Sequence, residues 1–320
     1  DELCVQGYAL WVKFPVLSRI RASALMLAVF ASVLVPLAAA PDAGAQQRCP
    51  AVAVIAARGS GQNQHIAPTS YSPQAPWVSN GWEAETIRAF LQHAEQRYRS
   101  THGGASLMSD VEVLGLEPRY YPAAQPESGL PAAAAPASSI QGVRLALEHS
   151  LPVLQMAPRA GAEFAQSLRV GRAGVMQQVD DYEAATGCRP SYVLIGFSQG
   201  AMILLEHERA LARRGQLAGV VYFGNPNTAP GDPSTVGVPG GGAGGMLGQL
   251  PFNSRTAAAT PNRVNYCLPL DLVCDLSGKN AQAAAGAGGG NHGLYYLAPF
   301  EWDNQVSDSF GRFVDQVRYQ

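Results

Sequence analysis

The stretch SYVLIGFSQG, residues 191–200, runs from an apolar segment into a Gly-x-Ser-x-Gly turn. Ser191 to Gly196 predicts a strand buried in a sheet, and Ala201 to Arg214 has the spacing of an α-helix. A turn that joins a strand to a helix so abruptly leaves no room for side chains at its two flanking glycines. The sequence therefore predicts that the hydroxyl of Ser198 projects from a sharp strand–turn–helix.

Further apolar runs and helical patterns alternate along the chain. The runs predict strands, and the patterns between them predict helices; the strands are Ala51–Ala57, Asp110–Leu116, Leu217–Phe223 and Arg263–Cys267, and the helices are Trp82–Arg99, Ile140–His149 and Ala162–Thr186. Strands that are apolar without alternation are typical of a parallel sheet that is covered on both faces. We expect an α/β fold of the α/β-hydrolase type, with a central parallel sheet and helices on both faces.

The composition is that of a globular protein without a footprint for nucleic acid. Hydrophobic residues make up 47% of the chain and charged residues 14%, and the formal net charge is −2. A nearly neutral chain lacks the basic patch that binds a phosphate backbone, so we expect no nucleic-acid partner. Two glycine-rich segments, 225–261 and 286–290, lack the Lys-Ser or Lys-Thr of a phosphate loop, and we predict flexible surface loops for them.

The first 45 residues have the order of an export signal. A basic segment with Arg19 and Arg21, the apolar run Ala22 to Leu37 and the small residues Ala43-Gly44-Ala45 follow one another. A membrane anchor is the rival interpretation, but the apolar run is shorter than the roughly 20 residues that a spanning helix needs. We predict a signal peptide or doubtful leader over 1–45, a single domain over 46–320, and a place outside the cell or at the cell envelope.

Four of the five cysteines follow this segment, and they predict two disulfides. Cys49 and Cys188 each stand just before a predicted strand, which places both at the same edge of a parallel sheet. Cys267 and Cys274 are close enough in sequence to close a short loop. Three pairings are open to four cysteines, and four free thiols are the alternative; we favour Cys49 with Cys188 and Cys267 with Cys274.

A nucleophilic serine needs a base, and two histidines follow Ser198 in the sequence. His207 lies nine residues on in the predicted helix, roughly 13 Å along its axis, and we interpret it as a surface helix residue. His292 lies on a loop near the C-terminus. His292 is therefore the predicted base.

The acid that orients the histidine lies between Ser198 and His292 when the chain order is that of an α/β-hydrolase. Glu206 and Glu208 are excluded with His207 by distance, and Asp232 lies in a Pro/Gly turn where turn chemistry explains it. Asp271 lies inside the loop between Cys267 and Cys274, and Asp275 lies just outside it. We favour Asp271 over Asp275, because a triad acid must be held in place.

An oxyanion needs hydrogen-bond donors, and one is the backbone N–H of Gln199, the residue after the nucleophile. The second is expected in the turn Arg58-Gly59-Ser60-Gly61 after the first strand. Ser60 can donate from its backbone and its hydroxyl, although an ordinary tight turn also explains the glycines. We interpret Arg58 as a structural ion-pair partner.

Four segments resemble the signature segments of the cutinase family, in the same order. They are Ala57-Arg58-Gly59-Ser60, Gly196-Phe197-Ser198-Gln199-Gly200, Asp271-Leu272-Val273-Cys274 and His292-Gly293-Leu294. The resemblance implies a secreted carboxylic-ester hydrolase with a Ser198–Asp271–His292 triad, a serine-based oxyanion hole at Ser60 and Gln199, and disulfides like those above. It implies no cofactor and no metal, and we expect an ester or lipid substrate and a monomer.

The chain departs from the family pattern at three places. Leu270 precedes Asp271 where the family usually has glycine, extra sequence lies between the strand at 110–116 and the helix at 162–186, and Pro230 to Ala259 is longer than usual. The apolar stretch Ile140 to Met156 could form a lid over Ser198. Two alternative functions remain open at this point. One is a lipase, phospholipase or thioesterase acting on cell-envelope lipids, and the other is a non-catalytic lipid-binding protein on a hydrolase fold.

Overall fold

The computed structural model describes residues 48–125, 158–250, 253, 255–256, 259–286 and 290–319. Contacts divide the chain into two units, and all of these residues belong to the second, Gln47–Gln320. The predicted leader over 1–45 and the predicted helix and lid over 140–156 lie outside the described residues. They stay predictions, as does the division into a leader and one domain.

Six strands form a single parallel sheet in the described part of the chain. They are β1 (Val52–Ala57), β2 (Val111–Gly115), β3 (Ser191–Phe197), β4 (Leu217–Phe223), β5 (Thr235–Val236) and β6 (Arg263–Tyr266). Their order is β2-β1-β3-β4-β6-β5, and every neighbouring pair is parallel. The predicted strands are confirmed to within one residue at each end, whereas the short strand β5 was not predicted.

The order of the sheet reverses between β1 and β3, which are neighbours although β2 lies between them in sequence. Ligands of open α/β sheets bind beyond the carboxyl ends of the strands at such a reversal. Arg58 follows β1 and Ser198 follows β3. The turn that carries Ser60 and the turn that carries Ser198 are therefore brought to the same crevice.

Helices cover both faces of this sheet. In the described residues they are α1 (Ala84–Thr101), α2 (Pro158–Thr186), α3 (Gln199–Leu204), α4 (Glu208–Arg213), α5 (Gly278–Gly286) and α6 (Asp303–Arg318). Phe90 of α1 and Phe310 of α6 pack with Val54 in one core. Val175 of α2 and Ile203 of α3 pack with Ile55 in the other core. Burial on both faces explains the strands without alternation, and the predicted fold class is confirmed.

Four features differ from the sequence predictions. A 3-10 turn at Leu205–His207 interrupts the helix that was predicted as continuous from Ala201 to Arg214. Neither helix α5 nor the amphipathic helix α6 was predicted. The described part of the glycine-rich segment 225–261 is packed against its neighbours and does not lie loose on the surface, because four of its glycines, Gly241, Gly244, Gly245 and Gly248, are buried.

Among the helices that the structure describes, none combines the length and apolar character needed to cross a membrane.

Candidate active site

Ser198 sits on a strained turn between β3 and α3. Its φ of 53° and ψ of −117° lie outside the ordinary regions for an L-residue. A Cβ on Gly196 would lie 2.7 Å from the backbone of Ala201, and one on Gly200 would lie 1.9 Å from the carbonyl oxygen of Ala57. Only glycine fits at either position. The close packing of β3, α3 and β1 therefore requires glycines on both sides of the turn. Ser198 lies half-buried at the tip of this turn.

The structure brings Ser198, His292 and Asp271 into hydrogen-bond contact. Nε2 of His292 lies 2.9 Å from Oγ of Ser198, and Nδ1 lies 2.9 Å from Oδ2 and 3.0 Å from Oδ1 of Asp271. The Asp271 side chain is fully buried, whereas the His292 side chain is 32% exposed. A serine hydroxyl, an imidazole and a buried carboxylate in this order can abstract and return a proton at the serine.

Asp271 has two further donors. The backbone N–H of Val273 donates to Oδ1 over 2.9 Å, and the hydroxyl of Tyr295 donates to Oδ2 over 2.5 Å. The same hydroxyl accepts from the N–H of Leu268 over 3.1 Å. Burial, and then the negative charge of Asp271, raises the pKa of Tyr295 well above its usual value, so the phenol stays a donor. Sequence analysis missed Tyr295, because nothing in one sequence distinguishes it from a core tyrosine.

Gly224, the residue after β4, makes room for the pair of His292 and Asp271. Its φ is +51°, and a Cβ there would lie 2.7 Å from Cε1 of His292 and 2.9 Å from Oδ2 of Asp271. Any side chain at this position would therefore displace the imidazole or the carboxylate. Sequence analysis missed this residue as well.

The other acidic residues considered in the sequence lie in separate contacts. Asp275 accepts from the N–H of Ala243 over 2.9 Å and from the hydroxyl of Ser277. Asp232 accepts from the N–H of Ser234 two residues later, which is the predicted turn chemistry. Glu206 pairs with Arg172 on the surface.

His207 is less exposed than the surface helix residue that was predicted, and Glu208, which was excluded only by its distance from Ser198, lies in the core. His207 is half-buried, and its Nε2 has no hydrogen-bond partner within the described residues. Burial lowers the pKa of His207. Glu208 is fully buried and bonds to Tyr222, Thr260 and Arg263 in the core, where burial raises its pKa.

Two disulfides hold the framework of the site. Cys49 is joined to Cys188 and Cys267 to Cys274, with Cα–Cα distances of 5.4 Å and 5.8 Å. These are the pairings that we favoured from the sequence. The second disulfide closes the loop that carries Asp271.

Arg58 anchors the turn after β1, although its partners differ from the prediction. Its guanidinium donates to the carbonyl oxygens of Leu116 and Tyr121 and to Oδ1 of Asn63. It stacks 4.8 Å from the centre of the Trp82 ring, and burial lowers the pKa of Arg58 to about 10. The described residues provide no carboxylate partner for it. Arg58 is structural, but the predicted ion pair is wrong.

Ser60 is the residue of this turn whose N–H is available for a ligand. The N–H of Gly59 donates to Oε1 of Gln62, that of Gly61 to the carbonyl of Ala123, and that of Gln62 to the carbonyl of Gly59. Within the described part of the chain, neither the N–H nor the hydroxyl of Ser60 has a partner. Gln199 is the first residue of α3, where a backbone N–H has no acceptor within the helix.

No group of three or more His, Cys, Asp or Glu side chains with the spacing of a metal site occurs among the described residues.

No protein-family model and no curated protein matches the chain. Among solved structures, an acetyl xylan esterase is 16% identical with a TM-score of 0.42, and the match covers 83% of this chain and 100% of that one. A cutinase-like protein from Cryptococcus sp. is 17% identical with a TM-score of 0.39, covering 79% and 97%. A Trichoderma reesei cutinase is 16% identical with a TM-score of 0.35, covering 83% and 77%. Likeness at this level shows nothing about the activity of this chain, and it is the contacts of Ser198, His292 and Asp271 that bear on its function.

Proposed function

We propose that this protein is a secreted serine esterase that hydrolyses carboxylic esters through an acyl-enzyme, as its cutinase-like segments imply. The observation that carries the proposal is the run of contacts from Asp271 through His292 to Ser198. A serine hydroxyl is a weak nucleophile, and an adjacent imidazole held by a carboxylate is the arrangement that activates it.

The reaction follows from these contacts. His292 accepts the proton of Ser198 at Nε2 while Oγ attacks the ester carbonyl carbon, and Asp271 stabilises the imidazolium that forms. The oxyanion accepts hydrogen bonds from the N–H groups of Gln199 and Ser60. The ester C–O bond then breaks, and His292 returns the proton to the departing alcohol. Water repeats these steps on the acyl-enzyme and releases the acid.

The decisive experiment is hydrolysis of p-nitrophenyl butyrate by Ser198→Ala. We expect a fall of about 10⁴-fold or more in kcat, because a triad without its nucleophile loses most of its rate enhancement. Ser191→Ala, at the opposite end of β3, is the matched control and should keep the parental rate. His292→Ala against His207→Ala is the corresponding pair for the base. Survival of activity near the parental rate in Ser198→Ala refutes the mechanism.

A non-catalytic lipid-binding protein is distinguished by a covalent probe. The parent protein should be labelled by a fluorophosphonate at Ser198, and Ser198→Ala should not. Lack of labelling in the folded parent favours the binding protein.

A second candidate, a lipase, phospholipase or thioesterase acting on envelope lipids, is favoured by apolar side chains after His292. Leu294 and Leu297 are 39% and 49% exposed on the loop that follows the base. A chain-length series of p-nitrophenyl esters separates the two candidates, since a lipid hydrolase should prefer long acyl chains.

Export is supported by the two disulfides, which persist in oxidising compartments.

A further inference from the structure

We infer that Tyr121 is a positioning residue of the oxyanion site, whose phenol bridges the turn after β1 and the residue after Ser198. The inference rests on the proposed function. Tyr121 follows β2, and its side chain is fully buried. Its hydroxyl oxygen lies 3.1 Å from the carbonyl oxygen of Arg58 and 2.8 Å from Oε1 of Gln199.

The side chain of Arg58 in turn contacts the backbone of Tyr121. The guanidinium of Arg58 donates to the backbone carbonyl of Tyr121 over 3.0 Å. The side chain of each residue therefore bonds to the backbone carbonyl of the other, and the hydroxyl of Tyr121 also contacts Gln199. Ser60 lies two residues beyond the carbonyl that the phenol contacts. The bridge thus joins the two segments that carry the proposed oxyanion donors.

A count of protons favours one direction for the hydrogen bonds of the bridge. A phenol has one proton, so it cannot donate to two carbonyl oxygens at once. Gln199 is 1% exposed, and its Nε2 is buried without a partner among the residues that the structure describes, while Oε1 also lies 3.4 Å from Oγ of Ser167. Turning the amide by 180° places Nε2 against Tyr121 and Ser167, both of which can accept.

In this orientation the order is Gln199 Nε2–H to the Tyr121 oxygen, and Tyr121 O–H to the Arg58 carbonyl. The atom left without a partner is then a carbonyl oxygen, which is less costly to bury than an unpaired N–H. The orientation of a glutamine amide is assigned from the hydrogen-bond network around it. This order gives a partner to the phenol O–H and to the side-chain N–H groups of Gln199, while the hydroxyl of Ser167 gives up Oε1 as its acceptor. Burial raises the pKa of the Tyr121 phenol, so its proton remains on the bridge.

The bridge matters because an oxyanion hole works only when its donors are fixed before the charge develops. Gly200 already touches the backbone of Ala57, so the two segments are in contact beneath the site. The phenol adds a directional contact beside the donors. Without it, the turn that carries Ser60 can shift relative to the N–H of Gln199.

Tyr121→Phe tests the inference with p-nitrophenyl butyrate. We expect kcat to fall about tenfold with KM within twofold of the parent, since the loss of a whole oxyanion donor costs about 10²–10³ and here donors are displaced rather than removed. Tyr192→Phe is the matched control, because that hydroxyl bonds to Glu183 from the same apolar core. It should keep the parental kcat.

Gln199→Met breaks the bridge from its other end and keeps the backbone N–H. It should show the same fall in kcat, and the double variant should fall no further, because the two side chains act as one unit. Thermal unfolding of each variant checks folding, and Gln199→Met serves alone if Tyr121→Phe does not fold. The inference about Tyr121 is overturned if either folded single variant keeps the parental kcat, or if the losses of kcat add in the double variant. The proposed function is unaffected by either result. A parent without esterase activity refutes the proposed function as well.

Discussion

Gly224→Ala is the substitution for which the structure gives the clearest expected effect. Ordinary non-bonded contacts between heavy atoms lie at about 3.5–4.0 Å. The new Cβ would lie 2.7 Å from Cε1 and 2.8 Å from Nδ1 of His292, and 2.9 Å from Oδ2 of Asp271. The imidazole must therefore move away from Gly224 by on the order of 1 Å, which breaks its alignment with Ser198 or with Asp271.

The magnitude follows from two separate effects. A misplacement of about 1 Å in a reacting group costs about 10²-fold in rate, so we expect kcat for p-nitrophenyl butyrate to fall by about that factor. A side chain at positive φ also lowers the free energy of unfolding by about 1 kcal/mol. Gly215→Ala separates the two, because Gly215 has a φ of +67° with no atom within 4 Å of its Cβ position. Gly215→Ala should lower the free energy of unfolding and leave kcat unchanged.

The assay compares kcat and the urea midpoint for the parent and both variants. The expected result is a loss of stability in both variants and a loss of kcat in Gly224→Ala only. If Gly224→Ala keeps the parental kcat while it remains folded, then the contact of His292 with Ser198 does not govern the rate, and the geometric argument for the mechanism fails.

Three further predictions concern the acid loop. Tyr295→Phe should lower kcat about tenfold. It should also lower the free energy of unfolding by about 1.5–3 kcal/mol, the usual loss for a hydrogen bond to a charged group. The hydroxyl of Tyr296 bonds instead to Asp303 and Ser307, so Tyr296→Phe should leave kcat unchanged in the same assay. Replacing Cys267 and Cys274 by serine should lower kcat more than the same change at Cys49 and Cys188. The order for stability is the reverse, because loop entropy predicts a loss of about 2–3 kcal/mol in the free energy of unfolding for the short loop and about 5 kcal/mol for the long one. Equal losses of kcat would contradict a role of the Cys267–Cys274 disulfide in holding Asp271. Leu270→Gly should be about 1 kcal/mol more stable to urea than Leu270→Ala, because Leu270 has a φ of +68° and the pair isolates the backbone cost; equal midpoints would mean that the loop has relaxed.

Local patterns were enough to predict the elements that position Ser198. The apolar run of β3 and the glycines of the turn are read within ten residues, and the chain order then left His292 as the remaining histidine. The first step depends on a local sequence pattern, and the second depends only on the order of residues along the chain. They hold here because the strand is buried on both faces, so its pattern is unambiguous.

Residues whose importance depends on distant contacts could not be predicted in this way. Gly224 is required by atoms of Asp271 and His292, which come later in the chain, and Tyr295 matters through one oxygen atom of Asp271. Arg58 illustrates the same limit. Its charge suggested a carboxylate partner, but the fold supplies carbonyl oxygens from the segment after β2, which no pattern around Arg58 reveals.

The position of Leu270 shows how the acid loop tolerates a residue that the backbone disfavours. A positive φ at a leucine persists only when the surrounding structure holds it in place. Here the N–H of Leu270 donates to Asn280 over 2.7 Å, and its carbonyl accepts from the N–H of Asn291, the neighbour of His292. The strained residue is thus a link between the loop of Asp271 and the loop of His292.

The glycine-rich segment supplies a further restraint on this loop. The N–H of Met246 donates to the carbonyl of Val273 over 3.1 Å, and the N–H of Leu276 donates to the carbonyl of Gly244 over 2.8 Å. These backbone contacts flank Cys274, the second cysteine of the disulfide that closes this loop. Sequence that was predicted to be a flexible surface loop therefore restrains the backbone on both sides of Cys274, in the loop that carries Asp271.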